Sequence, residues 1–471
     1  MVQAGRFPLV EQAHDKTRSF AMTLPGYMRT NLSTLLARDG IDRNNWIAVF
    51  LMGALPTVGG SAISVILYVS FVWAFVSLAL GRFEFRLTHS DRVLAWTFTI
   101  FALLVAATAI VGPNTDQVPR KLVWLSGFLA PWVVIPRLRA GSGGNYLLPY
   151  ITGAAVGVIA GFVVAFFQLI VLKIRPEAVA GNSAVFAIMS LCIMGLGALN
   201  LGADSRRRML LGIGAAVCGT LAVVISLTRG VTMILPFTLL VVLLYSRLSW
   251  RSVPSRKIIL LAAMIIGLVI LGADHALEAR MLQTVQDFER IFDGDLTTST
   301  GQRFSLWSAA LEAIFRSPIW GYGIQNRMDV LFQSLPDAVN IGTFTHAHNG
   351  FLSVALDGGI LGLAGLVAVL LVPVAICWHA PQDENYRLRL FMAVSVTGAY
   401  ALCGLTQIMF KHDIMDSFFI FCSIVLAASI PDVSATPTTV NRAEPLKMSL
   451  LPSGKTGRNE DGHPNTKGIS I

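Results

Sequence analysis

YLLPYITGAAVGVIAGFVVAFFQLIVL, residues 146–172, runs for 27 residues without one Asp, Glu, Lys or Arg. As a helix rising about 1.5 Å per residue, this run is long enough to cross about 30 Å of hydrocarbon. In lipid every backbone N–H and C=O must be paired within the protein, so such a run reads as a helix; a barrel strand would be shorter and would alternate. Similar runs lie at 46–58, 61–80, 93–112, 122–136, 184–203, 209–227, 231–246, 258–273, 352–378, 390–410 and 417–431. The expected fold is therefore an all-α integral membrane protein of about twelve spans. Pro56-Thr57-Val58-Gly59-Gly60 separates the first two runs, which otherwise join into one apolar stretch.

The totals agree. Hydrophobic residues make up 54% of the 471 and charged residues only 13%, with a mean hydropathy of +0.65. A soluble domain has about a quarter of its residues charged. The net charge of +9 does not indicate nucleic acid, because the basic residues sit in short loops between apolar runs. Cys192, Cys218, Cys377, Cys403 and Cys422 lie in apolar runs without C-x-x-C spacing and read as small buried side chains. No signal peptide opens the chain, whose first apolar run begins near Trp46 after a polar stretch.

Loop charges predict orientation. Residues 1–45 carry Arg6, Lys16, Arg18, Arg29, Arg38 and Arg43. Alternate loops then carry Arg82, Arg86 and Arg92; Arg137 and Arg139; Arg206, Arg207 and Arg208; Arg247, Arg251, Arg256 and Lys257; and Arg387 and Arg389. With twelve spans all of these fall on one side, which places both termini in the cytoplasm. The segments then read as a cytoplasmic tail 1–45, nine spans over 46–273, an outer loop over 274–348, three spans over 349–432, and a disordered cytoplasmic tail over 433–471.

The outer loop is too long and too patterned for a linker. Leu306 to Phe315 places apolar residues at helical spacing, and Pro318 sets the end of that helix. Amphipathic helices of this loop should lie over the membrane surface, with Trp307 and Trp320 near the interface.

Five places hold groups of chemical interest. Arg229, in Ser226-Leu227-Thr228-Arg229-Gly230, sits in a short gap between two apolar runs. It reads either as a phosphate clamp, through its planar fork of donors, or as an arginine reaching up to head groups. Thr345-His346-Ala347-His348-Asn349-Gly350 marks the return of the loop to the membrane. Its histidines suit a general base near neutral pH or ordinary interfacial hydrogen bonds. Zinc is disfavoured, since no H-E-x-x-H and no nearby cysteine accompanies them. Arg303, just before the loop helix, is a second anion contact or a surface arginine. Pro318-Ile319-Trp320-Gly321-Tyr322-Gly323 is a turn, and Asp293-Gly294-Asp295 is a turn lacking the remaining spacing of a calcium loop.

At these residues the chain resembles the O-antigen ligase and polymerase superfamily of bacterial envelopes. The loop pattern of that family, an Arg followed by Trp, then P-x-x-G-x-G, then H-x-H-N, stands here as Arg303, Trp307, Pro318 to Gly323 and His346 to Asn349. The ligase branch follows H-N nine residues later with G-x-x-G, here Gly359-Ile360-Leu361-Gly362. Arg229-Gly230 stands where the family has an essential Arg after a Ser/Thr-rich span end. Arg175 and Gly181 to Phe186 resemble a further ligase pattern, with Ala178 and Ala184 where Gly and Pro are usual.

The resemblance implies a metal-independent, inverting glycosyltransferase without cofactor. Its donor would be an undecaprenyl-diphosphate-linked glycan and its acceptor a sugar hydroxyl of lipid A–core, at the periplasmic face of the bacterial inner membrane. His348 would deprotonate the acceptor hydroxyl or orient it for attack; Arg229 and Arg303 would stabilise the departing diphosphate; His346, Asn349, Arg175 and Trp307 would contact substrate; Asn349 would hold the His348 ring by a hydrogen bond. A polymerase of O-antigen or exopolysaccharide repeats shares this donor chemistry and differs only in acceptor. A transporter fits less well, because no inverted repeat is visible and the polar groups gather on one loop.

Overall fold

The structure, a computed structural model, describes residues 40–111, 118–141, 145–249, 289–335, 346–407 and 409–432, with Leu282, Val285, Gln286, Asp287 and Phe344 besides. The expected 258–273 span, the start of the 274–348 loop and nearly all of both tails lie outside these residues.

The described residues are helical, without strands. Fifteen α-helices follow in order: α1 Gly40–Ala54, α2 Ala62–Ala79, α3 His89–Val111, α4 Val118–Leu125, α5 Pro131–Arg139, α6 Leu147–Phe167, α7 Ser183–Ala198, α8 Arg206–Ile225, α9 Arg229–Thr232, α10 Leu235–Ser249, α11 Ser299–Arg316, α12 Arg327–Gln333, α13 Gly350–Trp378, α14 Tyr386–Gly404 and α15 Asp413–Ala428. Helical structure lies over eleven of the twelve expected spans, all but the one outside the described residues. Eight of these segments are long and apolar enough to cross a membrane. The outward faces are apolar too: α2 exposes Val65, Val69, Val72 and Phe75. Such faces need a solvent other than water, and this is a multi-pass membrane protein.

The first helix begins six residues earlier than its expected start at residue 46. Its added turn carries Asp42 and Asn45, which read as polar tail. Both are buried, Asp42 accepting from the Tyr146 hydroxyl (2.8 Å) and the Asn45 amide donating to Arg137 O (3.1 Å). Against α6 this helix packs by backbone contact. A Cβ on Gly153 would run into Phe50 O, and one on Gly157 into Ala54 O. Small residues at such crossings replace the hydrophobic drive that lipid cannot supply.

Helix ends sort into two groups. Arg139 bonds both oxygens of Asp91 at the start of α3 (2.7 and 2.9 Å), then Ala427 O and Ile430 O at the end of α15. At the far end of α3, Gln325 Nε2 reaches Ala109 O (2.7 Å). The arginine-bearing segments following α2, α5 and α13 therefore meet at one end of the bundle. Several of these arginines are not solvated. Arg389 is fully buried, paired with Asp383 and donating to Ser429 O (3.0 Å) and Pro381 O (3.1 Å). Terminal carbonyls of a helix lack partners within it, and these guanidiniums supply donors.

The opposite end is organised by a break in α13. Gly359 has φ 59° and ψ −152°, a backbone region closed in practice to residues with a Cβ. The 318–323 turn docks on the groups that the break frees: Tyr322 N–H donates to Leu356 O (2.8 Å), Gly323 N–H to Asp357 O (2.9 Å), and Ile360 N–H to Pro318 O (2.8 Å). A Cβ on Gly321 would lie 2.5 Å from Leu356 O, which explains why that turn needs glycine. Gly359→Ala should cost about 3 kcal/mol or more through backbone strain and overlap with Ile319 O. Gly358→Ala, whose Cβ would meet only the Thr108 methyl at 3.7 Å, should be near neutral. Thermal unfolding of both variants in detergent checks the contrast.

Candidate functional site

The site is built at the end where α13 is broken. Thr298 caps α11, its side chain accepting from Gly301 N–H (3.0 Å). The apolar face of α11 then buries Leu306, Ala309, Ala310 and Ala313 against Leu331, Ala347 and Leu356. This small core fastens the loop helix over the start of α13, and the helix itself lies where the periodicity of 306–315 implied.

The same core sets the histidines. Trp307 Nε1 donates to Ala347 O (2.9 Å), pinning the backbone between His346 and His348. His348 has φ +50°, uncommon for a residue with a Cβ, and Asn349 follows as N-cap of α13. The Asn349 carboxamide oxygen accepts from Leu352 N–H (3.0 Å). That oxygen is thus engaged in capping the helix, and the His348 Nδ1 is buried with no hydrogen-bond partner among the described residues. The two imidazole rings lie 4.3 Å apart, with Phe344 edge-on to His348 at 5.1 Å.

Arg229 starts α9, directly after a left-handed Leu227 (φ +55°) and Thr228. Arg175 holds this turn, donating to Ser226 O (3.0 Å), Leu227 O (3.4 Å) and Thr228 Oγ1 (3.2 Å). Arg175 is therefore a brace for Arg229 in this structure. Arg229 lies 3.8 Å from Asp287, whose carboxylate also accepts from the Thr300 hydroxyl (2.9 Å) on the first turn of α11. Arg303 stands one turn further along that helix.

The electrostatics follow from this crowding. Burial, and next the charge of Arg229, make protonation of Arg303 less favourable than in water. Burial likewise lowers His348 to about 3, with His346 and Arg303 adding to the shift. His346 falls to about 4 through burial, then Arg327 and Arg303. Both imidazoles are neutral at physiological pH, beside two like-charged guanidiniums whose mutual repulsion an anion would relieve.

Three charged residues that the sequence reading did not single out complete this end. Asp357, buried in α13, is held by Arg327 in a bidentate pair (Nε–Oδ1 2.8 Å) and by Lys411. A lone carboxylate within an apolar span was the available signal, since burial demands a cation partner. Next to this cluster lies a cavity of about 660 Å³ lined by Arg327, Lys411, His346, Asn182, Ala184, Gln407 and Asp413, among others. Of the residues singled out, Arg229, Arg303, His346 and His348 form one electrostatic neighbourhood; Trp307, Arg175 and Asn349 hold it in place. Among the described residues no three His, Cys, Asp or Glu side chains come together as metal ligands. The five cysteines are free.

A helical membrane protein with a roofed, cationic site beside two neutral histidines is thus defined by geometry alone. Residues 214–367 match the family model described as O-Antigen ligase, which places this segment in the O-antigen ligase superfamily and bears out the resemblance. The matched segment contains Arg229, Arg303, both histidines and the Gly359 break. No curated protein matches the chain. The family indicates ligase- or polymerase-type chemistry on lipid-linked glycans in general.

The histidine shifts predict the pH profile. A buried His with a lowered pKa stays neutral as pH falls through its usual value of 6.5. The pH dependence of kcat/KM, which reports the free enzyme, should therefore show no His-type inflection near 6.5 and should fall only toward pH 4. An ordinary inflection near 6.5 would contradict the buried environment of this pair.

Proposed function

We propose that the protein is an O-antigen ligase-type glycosyltransferase of the bacterial inner membrane. It would move an undecaprenyl-diphosphate-linked glycan onto a sugar hydroxyl of lipid A–core at the periplasmic face. The observation that carries this reading is Arg303 on α11, whose charge acts on His346 and His348 and is itself acted on by that of Arg229. Two guanidiniums of one sign suit a diphosphate leaving group. The unpartnered Nδ1 of His348 can accept a hydrogen bond from the acceptor hydroxyl, and a diphosphate anion on Arg303 would raise the affinity of that ring for a proton.

In the proposed step the acceptor oxygen forms a bond to the anomeric carbon as the bond from that carbon to the diphosphate oxygen breaks. The acceptor proton passes to His348. The electron pair of the broken bond stays on the diphosphate, whose growing charge Arg229 and Arg303 stabilise. One displacement inverts the anomeric centre, and no metal or cofactor takes part. The full count of twelve spans, the periplasmic side for the roofed end and cytoplasmic termini belong to the same proposal; the grouping of arginine-rich loops at the other end supports them.

His348→Ala and Arg229→Ala should each lower transfer by about a hundredfold or more while the protein still inserts and folds. The assay is transfer of lipid-linked glycan to core lipopolysaccharide by purified protein; near-wild-type rates in either variant would remove the role assigned to that residue. A polymerase remains the second reading, because the family match covers both activities. Deleting the gene separates them on a lipopolysaccharide gel. Bare core with accumulated lipid-linked polymer marks a ligase, whereas core bearing a single repeat unit marks a polymerase.

A further inference from the structure

Arg137 is a buried cation with only uncharged partners. It lies near the end of α5, two residues before Arg139, at the arginine-bearing end of the bundle. Only 5% of its surface is exposed. Its Nε donates to Asn45 Oδ1 (3.1 Å) and its Nη1 to Ser77 Oγ (3.2 Å), and its guanidinium carbon lies 5.8 Å from the centre of the Trp73 ring. Among the described residues its Nη2 has no acceptor. The other two buried arginines differ, since Arg327 pairs with Asp357 and Arg389 with Asp383. Asp42, one turn before Asn45 on α1, accepts from the Tyr146 hydroxyl (2.8 Å) and makes no ion pair with Arg137. A charge held out of water without a counter-charge is costly, so an anion reaching this guanidinium would be bound strongly.

Such an anion has room. Arg137 lines a cavity of about 230 Å³ between α1, α2, α5 and α15. Asn44 and Ser70 add an amide and a hydroxyl to its wall, while Val69, Trp73 and Phe421 make it apolar elsewhere. No Asp, Glu or second cation lines it. Val69 and Trp73 are also 59% and 46% exposed, so the cavity meets the outward, apolar face of α2.

These properties select the ligand. A guanidinium fork matches phosphate oxygens in geometry as well as charge. A mouth on an apolar outward face leaves the rest of the ligand in hydrocarbon, at a span end where tryptophan and arginine meet head groups. With no carboxylate in the wall, the ammonium of a zwitterionic head group would find no partner, whereas hydroxyls would find Asn44 and Ser70. The volume is below the roughly 300 Å³ at which pockets for drug-sized ligands begin, which suits a head group and excludes a glycan.

We propose that this cavity binds an anionic glycerophospholipid, its phosphodiester on Arg137, its head-group hydroxyls on Asn44 and Ser70, and its acyl chains along Val69 and Val65 of α2. Basic pockets between spans hold lipid head groups by this chemistry in general. The site lies at the end of the bundle opposite the histidines, and it stands whether or not the transferase reading does.

The full chain, purified in detergent, is titrated with phosphatidylglycerol, phosphatidylethanolamine or inorganic phosphate, and bound species are counted by native mass spectrometry. The first phosphatidylglycerol should bind wild type about tenfold or more tightly than phosphatidylethanolamine or inorganic phosphate does. Arg137→Gln removes the charge; Ser70→Phe fills the cavity from a half-buried position and leaves Arg137 in place. Each should weaken the first phosphatidylglycerol about tenfold or more, the scale of a lost charge-assisted hydrogen bond. Arg82→Gln, an exposed charge outside the cavity, should change it less than about twofold. Equal affinity for phosphatidylethanolamine, or for inorganic phosphate, overturns the choice of ligand. Unchanged affinity in Ser70→Phe, or an equal loss in Arg82→Gln, overturns the site; Ser70→Phe decides alone if Arg137→Gln fails to fold.

Discussion

A carboxylate buried inside an apolar helix determines how one end of this protein is built. Asp357 lies at the point where α13 gives up its regular hydrogen bonds, and its charge is balanced by Arg327 from the loop and Lys411 from the segment before α15. Removing one partner from a buried ion pair costs about 3–5 kcal/mol, more than a typical surface pair contributes in total. The arrangement therefore couples three parts of the chain far apart in sequence. Where α13 breaks, the loop turn docks; where Arg327 pairs, α12 is anchored; where Lys411 pairs, the wall of the cavity is fixed.

That framework has an electrostatic consequence. The histidines stand in a neighbourhood of cations and little water, so their neutral forms are favoured at any pH a cell maintains. Arg229 is held in place by the turn that Arg175 braces and by Asp287 instead of being left to swing in solvent. Dipoles and charges fixed before substrate arrives need no reorganisation when charge develops, which is the largest lever that sites of this kind possess.

Sequence periodicity made the helical membrane architecture plain, because a span is a local property of composition: YLLPYITGAAVGVIAGFVVAFFQLIVL can hardly be anything else. The motif spacing also singled out Arg229, Arg303 and the histidines, which the fold brings into one electrostatic neighbourhood. What stayed hidden was partnership. Nothing local in Asn349 distinguishes a cap for α13 from a hydrogen bond to the neighbouring ring, and nothing near Arg175 names the carbonyls of residues 226 and 227 as its acceptors. Asp42 and Asn45 looked like tail because their partners, Tyr146 and Arg137, lie about a hundred positions further on. The Arg327–Asp357–Lys411 cluster was out of reach for the same reason. Hydropathy tells which residues leave water, and only the folded chain tells whom they meet.

The arginines at the other end of the bundle illustrate a difference in time. During biosynthesis a basic loop resists translocation, and its influence is complete before the helices have found one another. Arg139 and Arg389 then serve a second purpose, clasping the carbonyl end of α15, the last helix to leave the ribosome among those described. The final described span is thus received by donors from α5 and from α14, the helix just before it. A chain that ends before Ala427 leaves Arg139 without Ala427 O and Ile430 O and Arg389 without Ser429 O, so both guanidiniums lose acceptors that only this last described helix and its end supply.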